Sequence, residues 1–205
     1  MRRGEVAAIS NEEFEILDYL DIYKVVRESN MKEDLGVNEA ILQSLLEKGY
    51  AKRVKGTSLQ IEPAGEKAVA EHRHLLLDQG GWRDKVLKGW EDFEEVNRRF
   101  KALVVRWQMK DVNGVKTVNN HSDKEYDSGI LGELAKIHED NKNVINKFTE
   151  IIPTYRRYVD RFEAALKRLN SGDTKYMAIA RDSYHGVWYE LHESILKLSG
   201  KERVE

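Results

Sequence analysis

No cysteine occurs among the 205 residues, which excludes disulfides, thiolate zinc sites and a thiol nucleophile. The only prolines are Pro63 and Pro153, so long helices are permitted. No apolar run approaches the roughly 20 residues of a membrane-spanning helix, and the opening MRRGEVAAISNEEFE lacks the apolar core of a signal peptide. The expectation is a soluble, cytoplasmic protein with no membrane partner. Neither charge sign dominates: Lys+Arg total 34 and Asp+Glu 36, so the overall balance demands neither nucleic acid nor a lipid surface. Internal repeats, low-complexity tracts, an HExxH pair and a di-iron ExxH pairing are also missing.

What is present is a 40% hydrophobic content, enough for one good core or two small ones. Ser10-Asn11-Glu12-Glu13 has capping-box form. Phe14, Leu17, Ile22, Val25 and Val26 then follow at mostly helical spacing, predicting one helix or two short ones to about Glu28. Ser29 to Gly36 reads as a turn or a short irregular helix. Asn38 can cap a helix from Glu39 to Lys48 that turns Ile41, Leu42, Leu45 and Leu46 inward and is closed by Gly49. YAKRV, the turn KGTS and LQI predict a small β-hairpin, and Pro63 suits the first turn of the helix that follows.

The helix-helix-hairpin-helix order over residues 10 to 75 resembles a MarR-type winged helix-turn-helix. LLEKGYAKRV is similar to the end of a recognition helix entering the wing, and IEPAGEKAV to the segment leaving it, with Glu62 where the family has threonine. The resemblance implies a DNA partner, contacted by Asn38, Gln43, Ser44 and Lys48 on the helix and by Lys52, Arg53 and Lys55 at the wing. Residues 1 to 75 nevertheless carry 11 basic and 14 acidic side chains, the wrong sign for a strong DNA binder. The recognition segment also lacks an arginine to read guanine.

The predicted division is a winged-helix-like domain at 1–78, a connector at 79–89 containing Gln79-Gly80-Gly81, and an antiparallel bundle of four or five helices at 90–205. The fold class is thus mainly α with one small hairpin. Trp90, Phe93, Val96, Phe100, Leu103 and Trp107 form the first bundle stripe. Residues 111 to 123 read as the longest structureless stretch, followed by a capping box at Ser122. A break is expected near Asn141 to Asn143, a separate helix after Pro153, and a last helix from about Thr174 to Leu198. That last helix contains DSYHGVWYELHE, residues 182 to 193, with Tyr184, Trp188, Leu191 and Ile195 on its apolar side.

Of 18 aromatic side chains, 14 lie from Trp82 onward. Polar-tipped rings cost free energy to bury unless their OH and NH groups find partners. They can therefore be core or line a pocket for an unknown small-molecule effector. The candidate lining is Asn97, Arg106, Trp107, His138, Arg181, His185, Trp188, Tyr189 and His192. The two-part order is similar in layout to FadR-type regulators, whose helical domain often holds a metal through aspartate and histidines. That resemblance implies a metal at His138, His185 and His192 with Asp182. Asp182 and His185 are three apart, however, where that family commonly has four. His121-Ser122-Asp123 has the residue types of a hydrolase triad, but sequence neighbours rarely reach triad geometry, so no catalytic residue is assigned. Three functions are compatible with these residues: a homodimeric ligand-responsive transcriptional regulator, an interaction protein using its winged helix for protein contacts, or a metal-dependent enzyme in the bundle.

Overall fold

The computed structural model describes residues 9–79 and 81–201, so Arg2, Arg3 and the linker's Gly80 lie outside it. The chain is mainly helical with a small antiparallel sheet. It divides into two units: one takes the residues up to Arg83 together with those from Glu193, the other Asp84 to His192.

In the first unit α1 (Asn11–Tyr23) opens with the capping box made in full. Ser10 Oγ accepts from Glu13 N and the Glu13 carboxylate accepts from Ser10 N, both at 3.1 Å. Phe14, Ile16, Leu17, Tyr19, Leu20 and Ile22 are all buried, so α1 is the central helix of this unit. It ends at Lys24, whose φ of 62° turns the chain out of the helix. Val25 and Val26, read above as helical, instead form β1 (Val25–Arg27). β-branched residues suit a pleated surface, and Val26 pairs with buried Leu59. The segment read as a turn or a short irregular helix is the short helix α2 (Glu28–Leu35), closed by left-handed Gly36.

Asn38 caps α3 (Glu39–Glu47), accepting from Ala40 N at 2.9 Å. β2 (Ala51–Val54) and β3 (Ser58–Ile61) make the expected hairpin, and β1 adds to it antiparallel in the order β1-β3-β2. α4 (Pro63–Gln79) completes this run. Gly65 is required in its first turn, because a Cβ there would stand 2.2 Å from Tyr50 O, the carbonyl that accepts Glu62 N.

α5 (Arg83–Gln108) is one continuous helix, and residues 83 to 89 are its first turns. The supposed structureless stretch is mostly the hairpin β4 (Met109–Val112) and β5 (Val115–Val118). Its two-residue turn is Asn113-Gly114, with φ of 54° and 82°, the left-handed pair that matches strand twist. α6 (Lys124–Thr149) runs unbroken through Asn141, and its cap is Asp123 rather than Ser122. After a single 3-10 turn at Pro153–Tyr155 comes α7 (Arg156–Asn170). α8 (Tyr184–Ser199) starts about ten residues later than the sequence pattern predicted. Residues 174 to 183 form a 3-10 turn and irregular chain, and Ser183 Oγ accepts from Gly186 N at 3.2 Å. Residues of α8 up to His192 belong to the second unit and those from Glu193 onward to the first.

Candidate functional site

The face proposed for nucleic acid is built from α3 and the β2–β3 turn, and almost every cation on it already meets a carboxylate. Lys52 Nζ lies 2.7 Å from Glu62, and Arg53 bonds Glu28 at 3.1 Å and Glu39 at 3.3 Å. Glu28, whose nearest donors are Lys32 and then Arg53, is held below the ordinary carboxylate range by them. Lys48 Nζ and Ser44 Oγ both turn to Glu13 Oε1, at 2.5 and 3.0 Å, and Glu13 is a buried group of α1. Gln43 donates to Glu47 at 3.1 Å, and Asn38 is occupied as a cap. Lys55, in the turn at φ 43°, is exposed and makes no ion pair among the described residues. The outward residues of α3 are Glu39, Ala40, Gln43 and Glu47; Glu39 meets Lys32 at 2.6 Å as well as Arg53, so Glu47 is the carboxylate of this helix with no cation beside it among the described residues.

Behind that face lies a charged cluster that no sequence pattern revealed. Arg73 on α4 donates from Nη2 to Asp18 Oδ1 at 2.6 Å and from Nη1 to Asp21 Oδ2 at 2.8 Å. Ser194 Oγ donates to Asp18 Oδ2 at 2.8 Å, while Lys24 and Lys197 reach Asp21 at 2.6 and 3.1 Å. Burial alone would raise the Asp21 pKa, but the Lys24 hydrogen bond and the charges of Arg73 and Lys197 outweigh it and bring it down to about 2. Every oxygen of the two aspartates is engaged, which describes a structural clamp.

The ligand candidates of the second unit do not converge on one place. Trp188 Nε1 donates to Asn97 Oδ1 at 2.9 Å, and its ring stacks on Phe100 at 4.0 Å. The Tyr184 hydroxyl sits 3.2 Å from His138 Nδ1, with Phe162 packed 4.7 Å from the phenol ring. Burial lowers the His138 pKa and raises that of Tyr184, so both are neutral at physiological pH. Asn97, His138, Tyr184 and Trp188 are thus core residues whose polar tips satisfy one another. Arg106 forms a bidentate pair with Glu133 at the surface. Arg181, His185 and Tyr189 are exposed. His192 is half-buried beside Trp90 and Phe93, its Nε2 3.6 Å from Glu94. His138, His185 and His192 are not brought together, and no group of three or more potential metal ligands occurs among the described residues. Glu190, fully buried on α8, is bound by Arg161 at 2.7 Å and approached by Arg157 at 3.5 Å.

Trp107 has a different setting. The β4–β5 hairpin folds back so that Asn119 N donates to Gln108 O at 2.8 Å. The Asn119 amide then donates to Trp107 O at 3.1 Å and to Asp127 Oδ1 at 2.8 Å. His121, at φ 59°, lays its ring 4.5 Å from Trp107 and its Nδ1 3.1 Å from Asp127 Oδ2. Ser122 bonds Asn120 and Asp123 caps α6, so the sequence triplet forms no triad. Between the first turns of α6 and the turn after α7 lies a cleft of about 450 Å³, lined among others by Trp107, Lys124, Asp127, Leu131, Gly132 and Leu169. Asp127 and Asn119 were missed because the signal for them is conformational: Asn113-Gly114 fixes the hairpin that returns residue 119 to Trp107.

Among the described residues no helix is long and apolar enough to cross a membrane. Compared with family models, with curated proteins and with solved structures, the chain has no significant match in any of the three.

Proposed function

We propose that the first unit is a winged-helix-type module that docks a protein partner through the outer face of α3 and the β2–β3 turn. Support for the winged-helix reading is the order α1-β1-α2-α3-β2-β3 with a three-stranded sheet, β1-β3-β2. The observation that carries the protein-contact reading is the neutralisation of Lys48, Lys52 and Arg53 by Glu13, Glu62, Glu28 and Glu39. Exposed ion pairs are weak, about 0–1 kcal/mol each, so phosphates could displace them. The displaced glutamates would stay beside the phosphates, however, and repel them. Affinity for DNA grows with the number of phosphates neutralised, and this face has few cations to offer. A partner with a basic surface fits Glu47 better, since it meets no cation among the described residues.

The regulator reading has one observation in its favour: exposed Arg27 and Lys55 have no carboxylate partner among the described residues. Fluorescence anisotropy of a random duplex with the full chain decides between them. The expected result is no binding even at about 25 mM salt, where counterion release favours it most. Binding at low salt that weakens steeply towards about 200 mM would restore the DNA reading.

A further inference from the structure

The structure assigns the cleft at the hairpin end of the second unit as a binding site for a small zwitterion with an apolar body, such as an amino acid with an aromatic or branched side chain. The cleft's size, about 450 Å³, falls within the range of small-molecule sites. Its two charged lining residues are both left without an opposite formal charge from lysine, arginine or carboxylate. Asp127 is buried, only 5% exposed, and its partners are the Asn119 amide and the His121 ring, which makes an ion pair with it at 3.1 Å only when the ring is protonated. Lys124, one turn earlier on α6 and exposed, pairs with no carboxylate among the described residues, Asp127 included. Most other lysines and arginines of this unit do find carboxylates, among them Lys85, Lys88, Arg99, Arg106, Lys142 and Lys147. A buried carboxylate whose one ion-pair partner is a histidine, charged only when protonated, leaves a place for a permanent ammonium group, and a lysine three residues away that meets no carboxylate among the described residues calls for one. An α-amino acid carries both within that reach.

The remaining walls supply the apolar contact. Trp107 offers a ring over which an ammonium group is also attracted. Leu131 and Leu169 face the cleft from α6 and α7. Gly132 leaves the floor open: a Cβ built there meets nothing within 4 Å. Asn119 and His121 hold Asp127 in place from the hairpin side, so the carboxylate is oriented before a ligand arrives and binding need not order it.

Calorimetric titration of the full chain with L-phenylalanine near neutral pH tests the assignment. Saturable binding is expected, weakened at least about ten-fold for phenethylamine, which lacks the carboxylate, and for 3-phenylpropionate, which lacks the ammonium. Gly132→Leu fills the cleft from an open position and is expected to abolish binding while the melting temperature is retained. Lys124→Ala, at an exposed position, is expected to erase the preference for phenylalanine over phenethylamine. Absence of binding at millimolar phenylalanine, equal binding of the singly charged analogues, or unaltered binding by a folded Gly132→Leu protein would each overturn the assignment. None of these readings depends on the first unit.

Discussion

Arg73 on α4 spans Asp18 and Asp21 on α1, one terminal nitrogen to each carboxylate, with all three side chains under 10% exposed. Such a group stabilises only when complete. Removing the arginine leaves the buried Asp18 carboxylate with the Ser194 hydroxyl and no cation, beside an Asp21 that keeps Lys24 and Lys197. Arg73→Ala is expected to cost about 3–5 kcal/mol. Asp18→Asn in the same background should recover part of that loss, and denaturant melts of the single and double variants measure the coupling. Additive effects would show that the clamp is not a unit.

The same cluster sets an acid limit. Asp21 has its folded pKa depressed from 3.8 to about 2, so its contribution is fully present above the unfolded value and is lost as pH falls through the folded one. Between pH 4 and 2 the protein should lose about 2 kcal/mol through this residue alone. In Asp21→Asn the pH-stability curve is expected to be flatter in that window.

Trp107 is 4% exposed and anchors His121, Asn119 and the cleft wall. Trp107→Ala is expected to destabilise the second unit by about 3–5 kcal/mol. An unchanged thermal melt would place the ring outside the core.

Two helical glycines should answer the same substitution with opposite sign. Gly65→Ala forces a Cβ against Tyr50 O and is expected to cost about 1–3 kcal/mol. Gly132→Ala has open space and helical backbone, so a gain of up to about 1 kcal/mol is expected. Chemical denaturation of both proteins reads the two signs directly.

At the tip of the β4–β5 hairpin, Gly114 has φ 82° and tolerates no Cβ without strain. Gly114→Val should disorder the turn while sparing the helices, because a two-stranded hairpin has little stability of its own. Hydrogen exchange at Lys110 and Thr117 is the sensitive measurement. If those amides keep their protection, the hairpin is held by more than its turn.

The periodic parts of the chain were legible in the sequence. Ser10 and Asn38 stand as caps, and the stripe Phe93, Phe100, Trp107 is buried as its spacing required. What failed did so for identifiable reasons. Val25 and Val26 continue a helical register, yet Lys24 reverses the chain before them and hands them to a strand. Asn141 has poor helix propensity and its buried amide finds no hydrogen-bond partner among the described residues, but the buried apolar stripe Ile137, Val144, Ile145 and Phe148 on either side carries α6 through it. Asn113-Gly114 was weighed as flexible composition when it is a specific turn. Of the site residues, the sequence singled out Trp107 and Trp188 but not their partners. Asp127 and Asn119 are ordinary polar residues until the hairpin brings them together. The cations of the wing looked available because the glutamates that occupy them lie up to 35 residues away in the chain.

Ser194 bonds Asp18 across 176 residues of chain. During synthesis at roughly 5–20 residues per second, Asp18 must wait on the order of ten seconds or more for that hydroxyl to be made. α1, α4 and the sheet can assemble earlier, but the first unit is finished only after the whole second unit has been translated. A ribosome-bound chain stalled before Glu193 should therefore hold α1 and α4 in a state that is looser than in the released protein, with Asp18 lacking one of its partners and Asp21 lacking Lys197.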